Sequence, residues 1–405
     1  MSPVNPNSIS PANVGPASAA QQANVPGQTG SQPSGGSPAL PFTSSARRHR
    51  EQMALSAATI TLAQFTAGGV QIPEQSIPAY GFLRGLWIRV VATGGTGVAA
   101  VYSADGAWNF LGACSVTDPD GAPIWSVNSG YTAYLIHKYG GGLRGSSVID
   151  PKLDPAYVAP ASSGNFAFQL WVPLEITQRN GLGSLPNTDS GKQYKLNLST
   201  NGSGVVYTTP PTTVPSVTIS MFIDAWTQPP VQDVLGRALT RVPPLVGTTQ
   251  YWSRQSIPVG AGASNGQTFG RVGNVVRGWL FVYRNAAGAR QTFASNNFPS
   301  PAIIYRDGYN YDVIDNLNWQ EEIALRYGLN NAAADAPGGP DNGVFPYMFT
   351  NDFDGGAGNE LRGQYWPTLQ SSRIELDGSY GVAGTLEVIC NDIAPTGDLA
   401  NRVLI

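Results

Sequence analysis

Two stretches decide how this chain is read: EQSIPAYGFLRGLWIRV at 74–90 and RQSIPVGAGASNGQTFGRVGNVVRGWLFV at 254–282. Each starts from Gln-Ser-Ile-Pro, crosses a turn-rich segment, reaches Arg-Gly and enters an apolar run. Working outward, further landmarks pair in the same order. YTAYLIHKYG at 131–140 and NWQEEIALRYGL at 318–329 have helical spacing and close on Tyr-Gly, with Gly140 and Gly328 where a helix end favours a left-handed residue. YKLNL at 194–198 answers to SRIELD at 372–377. VTISMFIDAW at 217–226 answers to TLEVICNDIA at 385–394, with Asp224 aligned on Asp392. Five landmarks in one order imply an internal tandem duplication in which loop lengths drift while strands are kept.

The repeated unit reads mostly as strand. Val217, Ile219, Met221 and Ile223 alternate with Thr218, Ser220 and Phe222, and Phe166, Phe168 and Leu170 keep the same beat. A unit of roughly 170–190 residues exceeds an immunoglobulin-like sandwich of ~100 residues and suits an eight-stranded jelly roll with long loops. The predicted fold is all-β: two tandem eight-stranded jelly rolls, a double jelly roll, with a short helix in each and an N-terminal arm. The expected division is a low-complexity tail (1–45), a helical arm (46–58), a first roll (59–228), a connector (229–245) and a second roll (246–405).

Composition supports strands and turns over long helices: Gly (48) and Pro (32) make a fifth of the 405 residues, and 12% are charged. A net charge of −3 argues against binding nucleic acid by bulk phosphate attraction. The tail carries no charged residue and one aromatic, Phe42, too little apolar surface to offset the entropy of ordering. Neither a secretory signal nor a membrane-spanning run is expected, so synthesis in the cytosol is.

Catalytic equipment is sparse. Of two histidines, His49 lies in the arm and His137 in the first helix; neither is set beside a nucleophile by any motif. Cys114 and Cys390 read as small core residues. Glu175, Asp224, Glu321 and Glu322 are the carboxylates a glycan hydrolase could use, each with a plainer reading at a strand end or in a helix. Asp352, Asp354 and Glu360 could hold Ca²⁺ but lack EF-hand spacing, so a polar loop is the better reading. No catalytic residue, metal or cofactor is therefore assigned. The one candidate site is basic: Arg47, Arg48 and Arg50, either a solvated face or an anchor toward lipid or a neighbouring subunit.

Residues 168–204, FQLWVPLEITQRNGLGSLPNTDSGKQYKLNLSTNGSG, resemble tectivirus-type major capsid proteins. Trp171, Val172, Pro173 and Leu174 end an aromatic strand; Leu182, Leu185 and Asn187 mark the following loop; Lys192-Gln193 and Lys195-Leu196 lead into the next strand. The strand GFLRGLWIRVVA at 81–92 is similar to an early strand of that family, and residues 46–58 to its helical arm. The resemblance implies a coat protein of a membrane-containing bacteriophage: homotrimers of pseudo-hexameric outline, tiling an icosahedral shell over an internal membrane that encloses double-stranded DNA. The implied partners are the chain itself, neighbouring trimers, other capsid proteins such as a vertex protein, and membrane lipid through the arm, with no direct sequence-specific nucleic-acid contact. Its place would be the virion, assembled in the host cytoplasm. The other readings weighed are a glycan-binding surface or spike protein and, behind it, a double jelly-roll glycan hydrolase.

Overall fold

A computed structural model describes residues 46–55, 58–97, 99–103, 105–142, 163–176, 181–227, 249–262, 266–327, 343–349, 365–368 and 373–394. The predicted tail, the connector and the Asp352/Asp354/Glu360 loop lie outside these residues.

Among the described residues, sixteen of the twenty-one strands build two copies of one pattern. In the first copy they are β1 (Arg48–Met53), β2 (Gln71–Ser76), β3 (Phe82–Thr93), β4 (Leu111–Thr117), β5 (Pro123–Val127), β6 (Phe166–Pro173), β7 (Lys195–Thr200) and β8 (Ser216–Trp226). In the second they are β9 (Gln250–Val259), β10 (Gln267–Thr268), β11 (Val275–Asn285), β12 (Ala302–Arg306), β13 (Tyr309–Ile314), β14 (Val344–Met348), β15 (Ile374–Asp377) and β16 (Gly384–Ile393). The first copy pairs as β1–β8–β3–β6 and β2–β7–β4–β5. Adding eight to each number reproduces the second, β9–β16–β11–β14 and β10–β15–β12–β13. This is the jelly-roll order twice over, as the double jelly-roll reading expected.

Alternation explains the sandwich. Val217, Ile219, Met221 and Ile223 of β8 are buried against Leu86, Ile88 and Val90 of β3 and Phe166, Phe168 and Leu170 of β6. Each such side chain contributes about 1.5–3 kcal/mol relative to exposure, so the period-two pattern holds the register. Cys114 and Cys390 sit in the same core as free thiols whose pKa burial pushes up.

The two copies are fused. Trp125 of β5 pairs in parallel with Trp252 of β9, joining one sheet of each roll into a continuous surface, β14–β11–β16–β9–β5–β4–β7–β2. Helices follow β5 and β13 at the same place: α1 (Gly130–His137) starts after Ser129, whose hydroxyl accepts from Thr132 N, and α2 (Asn316–Tyr327) after Asp315, whose carboxylate accepts from Asn318 N.

Three expectations are corrected. The arm is not helical: Arg48–Met53 is an edge strand, paired with β8 over six residues. Good helix formers were overridden because β8 offers an open row of backbone partners. The Gln-Ser-Ile-Pro echo is not structural, since Gln75 and Ser76 end β2 whereas 255–258 lie inside β9. Gly140 is no left-handed cap; it sits in a π turn, Lys138–Gly142, where a Cβ would crowd the Trp252 ring.

Candidate functional site

The Arg-Gly motif marks a bulge in the third strand of each roll. In β3, Gly85 faces Asp224 and Leu83 faces Ala225, leaving Arg84 unpaired in the ladder. In β11, Gly278 faces Asn391 and Val276 faces Asp392, leaving Arg277 likewise extra. The carbonyls of both arginines accept from the end of the neighbouring strand, Arg84 from Leu174 N (3.1 Å) and Arg277 from Phe349 N (3.0 Å). The register therefore corrects the alignment of the last strands: Asn391, not Asp392, stands where Asp224 stands.

Around Asp224 the sequence-predicted residues converge. Its buried carboxylate accepts from Arg48 Nε (3.0 and 2.9 Å), Arg50 Nε (3.2 Å), Arg84 Nη1 (3.2 Å) and Trp87 Nε1 (3.3 Å). Arg84 turns its remaining donors on Glu175, with Nε at 2.8 Å and Nη2 at 2.5 Å, and its guanidinium lies over the Trp226 ring at 4.4 Å. Trp226 Nε1 also donates to Glu175 (3.1 Å). Burial pushes Asp224 up, but Arg48 and Arg84 outweigh it and hold the carboxyl below the usual range. For Glu175 burial prevails over the Arg84 contacts and the carboxyl sits above that range.

This settles how two candidates for acid–base work are placed. Glu175 and Asp224 do come together, yet Arg84 occupies the space between them, and both are buried. A hydrolytic pair needs room for substrate and water between its carboxyls. This arrangement is an ion cluster that clamps β1 to β8. Arg48 and Arg50 are thus partners of a buried acid, while Arg47 donates its backbone N–H to Thr227 Oγ1 (2.8 Å). His49 stacks on Tyr80 at 4.2 Å; His137 is buried edge-on to Trp87, and burial lowers its pKa to about 4. Glu321 and Glu322 are exposed on α2.

The second roll rebuilds the site with an amide in place of the acid. Arg277 Nη1 reaches Asn391 Oδ1 (3.4 Å), and Asn391 Nδ2 donates to Gln250 Oε1 (3.1 Å). Gln250 Nε2 in turn donates to the Glu175 carbonyl (2.5 Å), so one side chain ties the two equivalent sites together. Asp392, on the opposite side of β16, is held by Arg271 (3.1 and 2.6 Å) and Asn274.

A second polar cluster lines the seam between rolls. Arg254 Nη1 donates to Asn128 Oδ1 (2.6 Å), Arg284 Nη1 pairs with Asp105 (2.7 Å), and Arg290 Nη1 donates to the Tyr131 hydroxyl (2.7 Å). No sequence signal linked these residues to one another, because the contacts join segments more than a hundred positions apart. Among the described residues no group of His, Cys, Asp and Glu is disposed to hold a metal, and no helix is long and apolar enough to cross a membrane.

No family model and no curated protein matches the sequence. Solved structures do match the fold. The MCP of Sulfolobus Turreted Icosahedral Virus (STIV) superposes with a TM-score of 0.57 at 15% identity, covering 86% of this chain and 97% of that one. A chain of the PBCV-1 virus capsid gives 0.55 at 11% identity, covering 86% and 94%. The major capsid protein P2 of bacteriophage PM2 gives 0.50 at 9% identity, covering 86% and 97%. At such identities the likeness is one of fold, and it runs through both rolls.

Proposed function

We propose that this chain is a structural coat protein that acts by assembly, forming homotrimers whose six jelly rolls give a pseudo-hexagonal tile of a virus shell. The observation that carries the reading is the repetition itself: two rolls of identical strand order fused along one edge, an architecture shared over almost the full length with chains from three virus particles. Three such chains supply six similar units around one axis, a closed arrangement that satisfies every repeated contact. A tectivirus-like shell over an internal membrane, contacts with other coat components such as a vertex protein, and assembly in the host cytoplasm belong to the same proposal.

Light scattering on the purified full chain tests it. The expected mass is about three times 42.7 kDa and stable to dilution, with hexagonal outlines in negative-stain micrographs. A monomer at all concentrations would overturn it.

A further inference from the structure

We propose that a polar cleft at one end of the first roll binds a phosphate–ammonium zwitterion of the phosphoethanolamine class, either free or as the head group of a lipid. The cleft needs one chain only; its lipid form rests on the shell-over-membrane reading above.

The cleft holds about 200 Å³, below the ~300–1,000 Å³ of sites that enclose drug-sized molecules, so it suits a head group rather than a larger ligand. Two turns build it at the end of β7. One, 118–122, joins β4 to β5; the Asp118 carboxylate accepts from Ala122 N (2.7 Å) and the Asp118 carbonyl from Gly121 N (3.0 Å). The other precedes β7; the Asp189 carboxylate accepts from Gly191 N (2.8 Å) and its carbonyl from Lys192 N (3.2 Å). Turns closed by their own aspartates fix the backbone before any ligand arrives. Ser76 and Lys195, paired between β2 and β7, complete the lining. The second roll shortens the first of these turns to Asp307 and Gly308, between β12 and β13.

The groups that line the cleft are uncommitted. Lys195 is held by Glu74 at 2.9 Å, and the Asp118 and Asp189 carboxylates bond within their own turns. Among the described residues, the side chains of Lys192, Ser190, Gln193, Ser76 and Asp120 have no hydrogen-bond or ion-pair partner. An ammonium, two hydroxyls and an amide can donate, and one carboxylate accepts. Those donors outnumber the two oxygens of a carboxylate and match the tetrahedral oxygens of a phosphate. Asp120 disfavours a free dianion and favours a ligand with a cationic end. No aromatic side chain lines the cleft. A quaternary ammonium is recognised by an aromatic cage, whereas a primary ammonium donates to a carboxylate. Charge and donor count together select a phosphate joined to a primary amine. The position suits a ligand presented by a surface: Ser76 leads through 77–81 to Phe82, which pairs with Trp226, and Trp226 pairs with Arg48. The cleft therefore lies at the end of the roll where the basic arm starts.

The full-length protein tests this in two arms. In solution, calorimetric titration should show saturable binding of phosphoethanolamine, about tenfold tighter than phosphocholine or inorganic phosphate. Lys192→Gln and Asp120→Asn change exposed positions, so thermal unfolding should hold while each variant loses about tenfold in affinity. In flotation, the wild type should rise with vesicles of equal parts phosphatidylethanolamine and phosphatidylcholine and stay down with phosphatidylcholine alone. Asp120→Asn should rise with neither. Binding in solution without flotation assigns the site to a free zwitterion and overturns the lipid form alone. No saturable binding in solution, or equal affinity for inorganic phosphate and phosphoethanolamine, overturns the inference and leaves the coat-protein reading, which light scattering tests separately, untouched.

Discussion

Arg84 and Arg277 occupy the same bulge in the same strand, each before a glycine that lets a large neighbour lie flat, yet their surroundings differ in kind. Arg84 is tied to two buried carboxylates, and Asp224 binds two further arginines from β1. Arg277 meets an amide, and β9, on the far side of β16, carries Trp252 opposite Asn391 where β1 carries Arg50 opposite Asp224. The reason lies in what each edge strand leans on. Within one chain β9 is flanked by β16 and β5, so packing holds it. Among the described residues β1 pairs only with β8 and is fastened by charge instead. Duplication conserved the backbone device and let the electrostatics diverge according to the neighbour each copy has.

Removing the acid should break the first site far more than removing the amide breaks the second. Asp224→Ala leaves Arg48, Arg50 and the Nη1 side of Arg84 without a counter-charge, and a loss of about 3–5 kcal/mol is expected. Asn391→Ala should cost about 1–3 kcal/mol, the range for an unmade buried hydrogen bond. Urea unfolding of both variants measures the gap; equal losses would mean the ion cluster contributes no more than the neutral one.

Acid should separate the two rolls next. His137 of the first roll titrates near 4 when folded because it is buried, against an ordinary value of 6.5. The unfolded chain therefore takes up a proton that the folded chain refuses, and stability drains as pH falls from 6.5 toward 4, by up to about 3 kcal/mol. Asp224 follows in the same direction: its folded pKa lies below the ordinary 3.8, so its contribution is full above that value and is lost at lower pH. Glu175, raised by burial, works against this trend as pH rises through its folded value. His137→Gln should remove the upper limb of the pH–stability curve and leave the lower one. An unchanged upper limb would assign it elsewhere.

The smallest difference concerns the glycines. A Cβ on Gly85 runs into the Trp171 ring and the Val172 carbonyl, whereas one on Gly278 meets first the Met348 sulfur, the movable end of a flexible side chain. Both alanine variants should lose about 1–3 kcal/mol from overpacking, Gly85→Ala the more. Melting temperatures in the reverse order would show that the two bulges relax differently from the geometry described.

Much of this was legible in the residues. The Arg-Gly strand, the two helices, the Leu-x-Leu strands and the last strands occupy equivalent places in the two rolls, because period-two burial and helical spacing are local properties that the chain writes out directly. Gln-Ser-Ile-Pro misled because four identical residues carry no information about which strand they join. RHREQM gave no strand signal, its exposed edge carrying charged and polar residues on both faces. Arg47, Arg48 and Arg50 stood out as a cluster, but the acid that binds two of them lies more than 170 positions away.

By itself, then, the sequence determined the class and the count: alternating strands, one helix per unit, and the unit written twice. Only the tertiary structure decided the pairing partners, the one-residue shift that puts Asn391 in the place of Asp224, and the seam where β5 meets β9. The physical reason is range. Periodicity is set by each residue's own neighbours, whereas edge pairing and buried charge depend on surfaces that meet only after the chain has folded.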